Sequence, residues 1–140
     1  MAKFALSVAS QNKLKNVHPD LIAVIKRALE LTSIDFSVTD GLRTIEQERE
    51  HINNGTSNTM NSRHLTGHAV DLTPWFNGAS VNGRDPANWH YFVSVSRAMK
   101  LAAMELKTPV EWGGDWPEVK GKSTRDGYHF ELTWKAYPLK

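Results

Sequence analysis

Two histidines and an aspartate fall within ten residues in the stretch Ser62-Arg63-His64-Leu65-Thr66-Gly67-His68-Ala69-Val70-Asp71. Imidazole nitrogens and carboxylate oxygens are natural ligands of a divalent cation, and each must come within about 2 Å of it. That requirement sorts the three residues. On one continuous helix His64 and Asp71 would be ~10 Å apart along the axis, which is too far. His64 and His68 have the i, i+4 spacing of helical zinc sites, but the glutamate of that motif is missing and Gly67 interrupts the run. A turn at Thr66-Gly67 followed by a strand from His68 to Thr73 fits better. Ala69, Asp71 and Thr73 then share one face, and Val70 and Leu72 share the other. The turn folds His64 over the face that carries Asp71, while His68 points elsewhere and can line a cleft.

A third ligand is expected much later in the chain. Phe130, Leu132 and Trp134 alternate with His129, Glu131 and Thr133, as in a strand with one buried apolar face, and His129 completes a His-Asp-His set. Two imidazoles and one carboxylate leave a fourth position for water, the pattern of a catalytic rather than a structural zinc site. Asp126, three residues before His129 and followed by Gly127, can hold a carboxylate beside the metal without binding it. There it would act as general base. An ordinary Asp pKa of ~3.9 suits that task poorly, so partial burial is expected to raise it, opposed by the nearby cation. Arg43 offers a fork of donors for a substrate carboxylate or an oxyanion. Gln47 either assists it or caps a helix. Asp115 either orients a ligand histidine or makes a turn, and Glu131 is a candidate support for His129. Trp75, Trp112 and Trp116 lie near the metal-bearing segments, either as core or as a cleft wall.

The spacing S-x-H-x-x-G-x-A-x-D, with Asp126-Gly127-Tyr128-His129 near the end, resembles the zinc peptidases that include D-Ala-D-Ala dipeptidases and carboxypeptidases. Within that group it looks most like the small tailed-phage endolysins that are L-alanyl-D-glutamate peptidases. Gly41-Leu42-Arg43-Thr44 with Gln47, Asn54-Gly55-Thr56-Ser57 and Gly113-Gly114-Asp115-Trp116 extend the resemblance over nearly the whole chain. The dipeptidase branch carries Glu where Asp126 stands, which favours the phage branch. The resemblance implies Zn2+ as cofactor, an active-site arginine at Arg43 and peptidoglycan as substrate. It also implies storage in the host cytoplasm until a holin releases the enzyme to the cell wall. D,D-peptidase specificity is one alternative. A metal-bound binding module without turnover is another, since Hedgehog domains keep an ion on a related fold.

These residues need a scaffold. His18-Pro19-Asp20 starts a helix whose stripe is Leu21, Val24, Ile25, Ala28 and Leu29. Ile34, Phe36 and Val38 alternate as a strand. Thr44 and Gln47 fit a capping box opening a mostly polar helix that ends near Gly55. Residues 54–63 read as a loop bordering the substrate cleft. Asn-Gly pairs at 77–78 and 82–83 read as turns, one of them possible as a hairpin. Asp85-Pro86 should start the longest helix, with Trp89, Phe92, Val93, Met99, Ala103 and Leu106 on its apolar face. Val110-Glu111-Trp112 reads as a strand, and 117–125 as a polar loop. Together these predict an α+β domain, helices packed on one face of a small, mainly antiparallel sheet, with the metal on the exposed side.

Composition sets the outer bounds. A chain of 140 residues is enough for one domain, 1–140, with a real core. A net charge of +2 suits contact with an anionic polymer, while the absence of a long basic run argues against nucleic acid. With no cysteine, thiolate zinc sites and disulfides are excluded. No run approaches the ~20 apolar residues that span a bilayer, and the first ten residues are too weakly apolar for a secretory signal. Neither an internal repeat nor a separate wall-binding module is evident, and a monomer is expected.

Overall fold

In the strands, alternation of apolar and polar residues decides which side of the sheet is buried. The computed structural model describes residues 4–55 and 62–138. Four antiparallel strands lie in the order β1 (Asp35–Asp40), β2 (Ala69–Phe76), β7 (His129–Leu132), β4 (Val110–Trp112), and a short β3 (Ala79–Ser80) pairs with the outer end of β2. Phe36, Val38, Val70, Leu72, Phe130 and Leu132 form the apolar face, each no more than 3% exposed. Over it pack α2 (Pro19–Leu31) and α4 (Trp89–Glu105), in one core cluster with Trp112 and Met99. This is the α+β arrangement expected from the sequence.

The α2 stripe is as expected: Leu21, Val24, Ile25, Ala28 and Leu29 are its buried residues. His18 caps it, its Nδ1 accepting from Asp20 N–H at 3.1 Å. The capping box of α3 (Ile45–Asn53) also forms, with Gln47 N–H donating to Thr44 Oγ1 and Gln47 Oε1 accepting from Thr44 N–H. Asn77 and Gly78, both at positive φ, make the hairpin between β2 and β3.

Several details differ from the sequence reading. A short helix α1 (Val8–Lys13) precedes α2, and its buried Ser10 hydroxyl accepts from Val38 N–H at 2.9 Å. Asp85 caps a 3-10 turn at Pro86–Asn88, and α4 begins only at Trp89. The buried face of α4 is Phe92, Val95, Ser96, Ala98, Met99, Ala102 and Ala103. Phe92, Met99 and Ala103 are buried as expected and Trp89 and Val93 pack against the core, but Val95, Ser96, Ala98 and Ala102 are buried as well and Leu106, just beyond the helix, is exposed. Residues 117–125 contain a two-stranded ribbon, β5 (Glu118–Val119) with β6 (Lys122–Ser123). Trp134 lies beyond β7 and stacks at the surface on the Arg63 guanidinium, 4.1 Å from its ring centre. Of the loop expected to border the cleft, residues 56–61 lie outside the described residues. No helix among the described residues is long and apolar enough to cross a membrane.

Candidate active site

A bulge in β1 between Val38 and Asp40 brings Asp40 opposite Asp71, and Asp71 is opposite His129 on β7. Three neighbouring strands thus present Asp40, Asp71 and His129 side by side on the face away from the core, since directly paired residues project to the same side. His64 arrives from a different element. Ser62 Oγ accepts from His64 N–H, starting a 3-10 turn over Arg63–Thr66, and Gly67 closes it at φ 75°. A Cβ on Gly67 would also meet the Asn16 carbonyl oxygen at 2.5 Å. Only glycine satisfies both the left-handed backbone and the close approach.

The turn sets His64 Nε2 3.2 Å from Asp71 Oδ1, while His129 Nδ1 lies 3.4 Å from the same oxygen. The three ligand atoms lie within 4.8 Å of one another and could hold a metal ion. Bonds of about 2.0–2.1 Å in a tetrahedron separate ligand atoms by about 3.3 Å, which matches the two spacings to Asp71 Oδ1. The outer nitrogens agree. His64 Nδ1 is 2.9 Å from the Gly41 carbonyl oxygen, which can only accept, so Nδ1 donates there and Nε2 is the ring nitrogen that faces Asp71. His129 Nε2 is 2.7 Å from Glu131 Oε1, which leaves Nδ1 facing the cluster.

Electrostatics pull the same way. Burial alone would raise the Asp71 pKa, but hydrogen bonds from His129 and His64 outweigh it and hold the carboxyl well below the ordinary range. Burial alone would lower the His129 pKa, yet Asp71 and Glu131 push it up to about 9. Without a cation, the cluster therefore holds a proton where a metal would otherwise supply the positive charge.

Asp126 stands at the edge of this cluster. Its carboxylate accepts from Tyr128 N–H at 3.1 Å and its own N–H donates to the Gly113 carbonyl at 2.9 Å. Burial, then the charge of Asp71, raises its pKa; His129, the Tyr128 N–H and His64 oppose this in part. The direction is the one expected from the sequence. The turn fits because residue 113 has no side chain: a Cβ there would lie 2.4 Å from the Asp126 carbonyl oxygen and 3.2 Å from His129 Cβ.

A family model described as phage L-alanyl-D-glutamate peptidase matches residues 1–133. The chain belongs to that family. The L-alanyl-D-glutamate peptidase of Escherichia phage T5 is 36% identical over 139 residues, covering 92% of this chain and 98% of that protein. The enzyme of the same name from Listeria phage A118 is 28% identical over 134 residues, covering 96% of this chain but 43% of that longer protein. Among solved structures, the Serratia marcescens L-Ala D-Glu endopeptidase ChiX superposes with a TM-score of 0.83 at 39% identity, covering 98% of this chain and 96% of that one. The resemblance read from the motifs thus holds at the level of family and fold.

Around this cluster the other expected residues take distinct places. Arg43 is buried, and its guanidinium is engaged by Asp40 and by Glu48 at 2.6 Å, with Nη2 4.0 Å from Asp71 Oδ2. Its backbone N–H donates to the His64 carbonyl, tying the two segments together. Gln47 is occupied by its capping box. His68 bonds Thr66 Oγ1 at 2.7 Å and its ring lies 5.4 Å from that of His18, away from the cluster. Asp115 pairs with Lys100 at the surface, 2.7 Å away, and Glu131 is the group that orients a histidine. The Trp116 ring flanks His129 at 5.0 Å, its N–H donating to Glu111. Trp112 is core, its N–H holding the Gly127 carbonyl at 2.9 Å.

Asp40, Gly41 and Glu48 were missed as parts of the site. Asp40-Gly41 reads as an ordinary turn. Glu48, fully buried, sits in a helix whose composition suggests a solvated surface. The signal for Glu48 would have been its partner, but Arg43 precedes the helix cap, so no helical spacing links them.

Proposed function

We propose that this protein is a zinc-dependent peptidase that hydrolyses the L-Ala–D-Glu bond of peptidoglycan stem peptides during phage lysis of a host cell. The observation that carries this reading is the convergence of His64, Asp71 and His129, with both imidazoles already oriented by partners on their outer nitrogens. His64 Nε2, Asp71 Oδ1 and His129 Nδ1 are the atoms that would hold the ion. Zinc held there would lower the pKa of water toward ~7 and polarise the scissile carbonyl.

The chain's own groups do the rest. Asp126, its proton affinity raised by burial and by Asp71, accepts the proton of the attacking water and passes it to the leaving nitrogen. Glu131 holds the His129 ring by its outer N–H and increases the basicity of the inner nitrogen. Arg43, engaged by Asp40 and Glu48, positions Asp71 and offsets its charge; binding a substrate carboxylate or an oxyanion would require it to release Asp40. In a phage setting, the protein would collect in the host cytoplasm and reach the wall once a holin opens the inner membrane.

The test pairs metal analysis of purified protein with mass spectrometry of digested wall. The expected products are peptides with a free N-terminal D-Glu, leaving L-Ala on the glycan. Release of D-Ala or D-Ala-D-Ala would instead indicate a D,D-peptidase. Bound metal without turnover would indicate a binding module.

A further inference from the structure

The open face of the sheet continues past the His64-Asp71-His129 cluster, and the chemistry above does not use it. Alternation along β2 puts Asp71, Thr73 and Trp75 on one face. Across the β1–β2 pairing Ser37 stands opposite Thr73, and Asp35 opposite Trp75. Thr39 Oγ1 lies 3.0 Å from Thr73 Oγ1 and within 3.4 Å of the Asp71 carbonyl oxygen. A row of hydroxyls therefore leads away from Asp71 and ends at an indole. Trp75 is 39% exposed, yet it is held: its N–H donates to Ser37 Oγ at 2.7 Å. That bond fixes the ring over the sheet and leaves an apolar face open to solvent beside polar groups.

This combination matches one class of ligand. A pyranose ring presents an apolar C–H face that packs on an indole, and a rim of hydroxyls that exchange hydrogen bonds with Ser and Thr. The distance also fits. Four residues of strand separate Asp71 from Trp75, roughly 13 Å. On the substrate, L-Ala is joined to its sugar through a lactyl ether, and these two units reach roughly 7 Å when extended. The sugar ring that follows covers the remaining span toward the indole. The D-Glu side of the bond carries no sugar.

We propose that Trp75, Ser37 and Thr39 form a saccharide subsite that receives the muramic acid end of the substrate, on the L-Ala side of the cleaved bond. This rests on the peptidase reading and adds that the enzyme selects stems still attached to glycan.

Two measurements test it. In the first, kcat/KM is compared for a glycan-linked stem and for an N-acetylated stem peptide without sugar. Trp75→Ala should reduce the ratio of the two by roughly tenfold, the order set by losing contact with one sugar face. Trp75→Phe, which keeps an aromatic face, should keep most of the ratio; should the alanine variant not fold, Trp75→Gln, which keeps bulk but removes the aromatic face, takes its place with the same expected loss. In the second, the peptide-free N-acetylglucosaminyl-N-acetylmuramic acid disaccharide is titrated into the parent protein while the Trp75 indole N–H signal is followed by NMR. A saturable shift is expected. An unchanged substrate ratio once the aromatic ring is removed, or an indole signal that does not move, overturns the subsite. If the parent cuts neither substrate, the peptidase reading falls, and the disaccharide titration still decides the subsite.

Discussion

Asp71 and His129 stand directly opposite each other on adjacent antiparallel strands, with Oδ1 and Nδ1 3.4 Å apart. Their registration is a property of the sheet, so backbone hydrogen bonds fix which two ligand side chains face each other, and only their rotamers remain to be set. His64 is the one candidate ligand delivered by a turn, and it is tied in by Gly67, Ser62 and the Gly41 carbonyl.

The first consequence concerns pH. A raised His129 pKa means that in metal-free protein this group contributes stability that is full below the unfolded value of ~6.5 and lost as pH rises through about 9. Asp71, whose pKa is depressed, contributes stability present above the unfolded value of ~3.9 and lost as pH falls further. Metal-free protein should therefore be most stable between these limits, and its urea midpoint should fall from pH 6.5 to 9. Zinc affinity should rise over the same interval as the competing proton leaves. A urea midpoint that climbs toward pH 9 without metal would contradict this assignment.

Removing the proposed base separates chemistry from binding. Asp126→Ala should fold and take up zinc like the parent, with hydrolysis of purified wall reduced about 10²–10⁴-fold. Parent-like digestion by this variant would remove Asp126 from the mechanism.

Glu131→Gln tests support of the metal from behind. The amide still fills the space beside His129 but no longer offers a carboxylate. Zinc affinity should drop about 10–100-fold, measured by competition with a chromogenic chelator, while the circular dichroism spectrum stays unchanged.

Arg43→Lys distinguishes positioning from substrate contact. A single ammonium cannot reproduce the two-sided grip on Asp40 and Glu48. Thermal stability should fall, by about 3 kcal/mol if the buried pair with Glu48 is broken outright, and zinc affinity should weaken. Unchanged stability and zinc affinity together with a large loss of kcat would place Arg43 on the substrate instead.

Much of this protein was legible in one dimension because its signals are local. The α2 stripe, the Thr44–Gln47 box, the Gly67 turn and the alternation in β2 and β7 each depend on neighbours within a few residues. Together they gave the α+β class and put His64, Asp71 and His129 within reach of one site. The buried face of α4 was read only in part: Phe92, Met99 and Ala103 were expected, whereas the burial of Val95, Ala98 and Ala102 depends on what packs over the helix.

The sequence by itself determined which residue types stand at which local geometry: the ligands, the glycine that turns one of them back, and the Asp-Gly turn before His129. Tertiary structure decided the partnerships. The bulge that aligns Asp40 with Asp71, the burial of Glu48 against Arg43, the Gly41 carbonyl behind His64 and the hydrogen bond holding Trp75 on the open face all join residues from different elements. Such contacts form only when the sheet sets its register and the helices close over it, and no spacing along the chain encodes them.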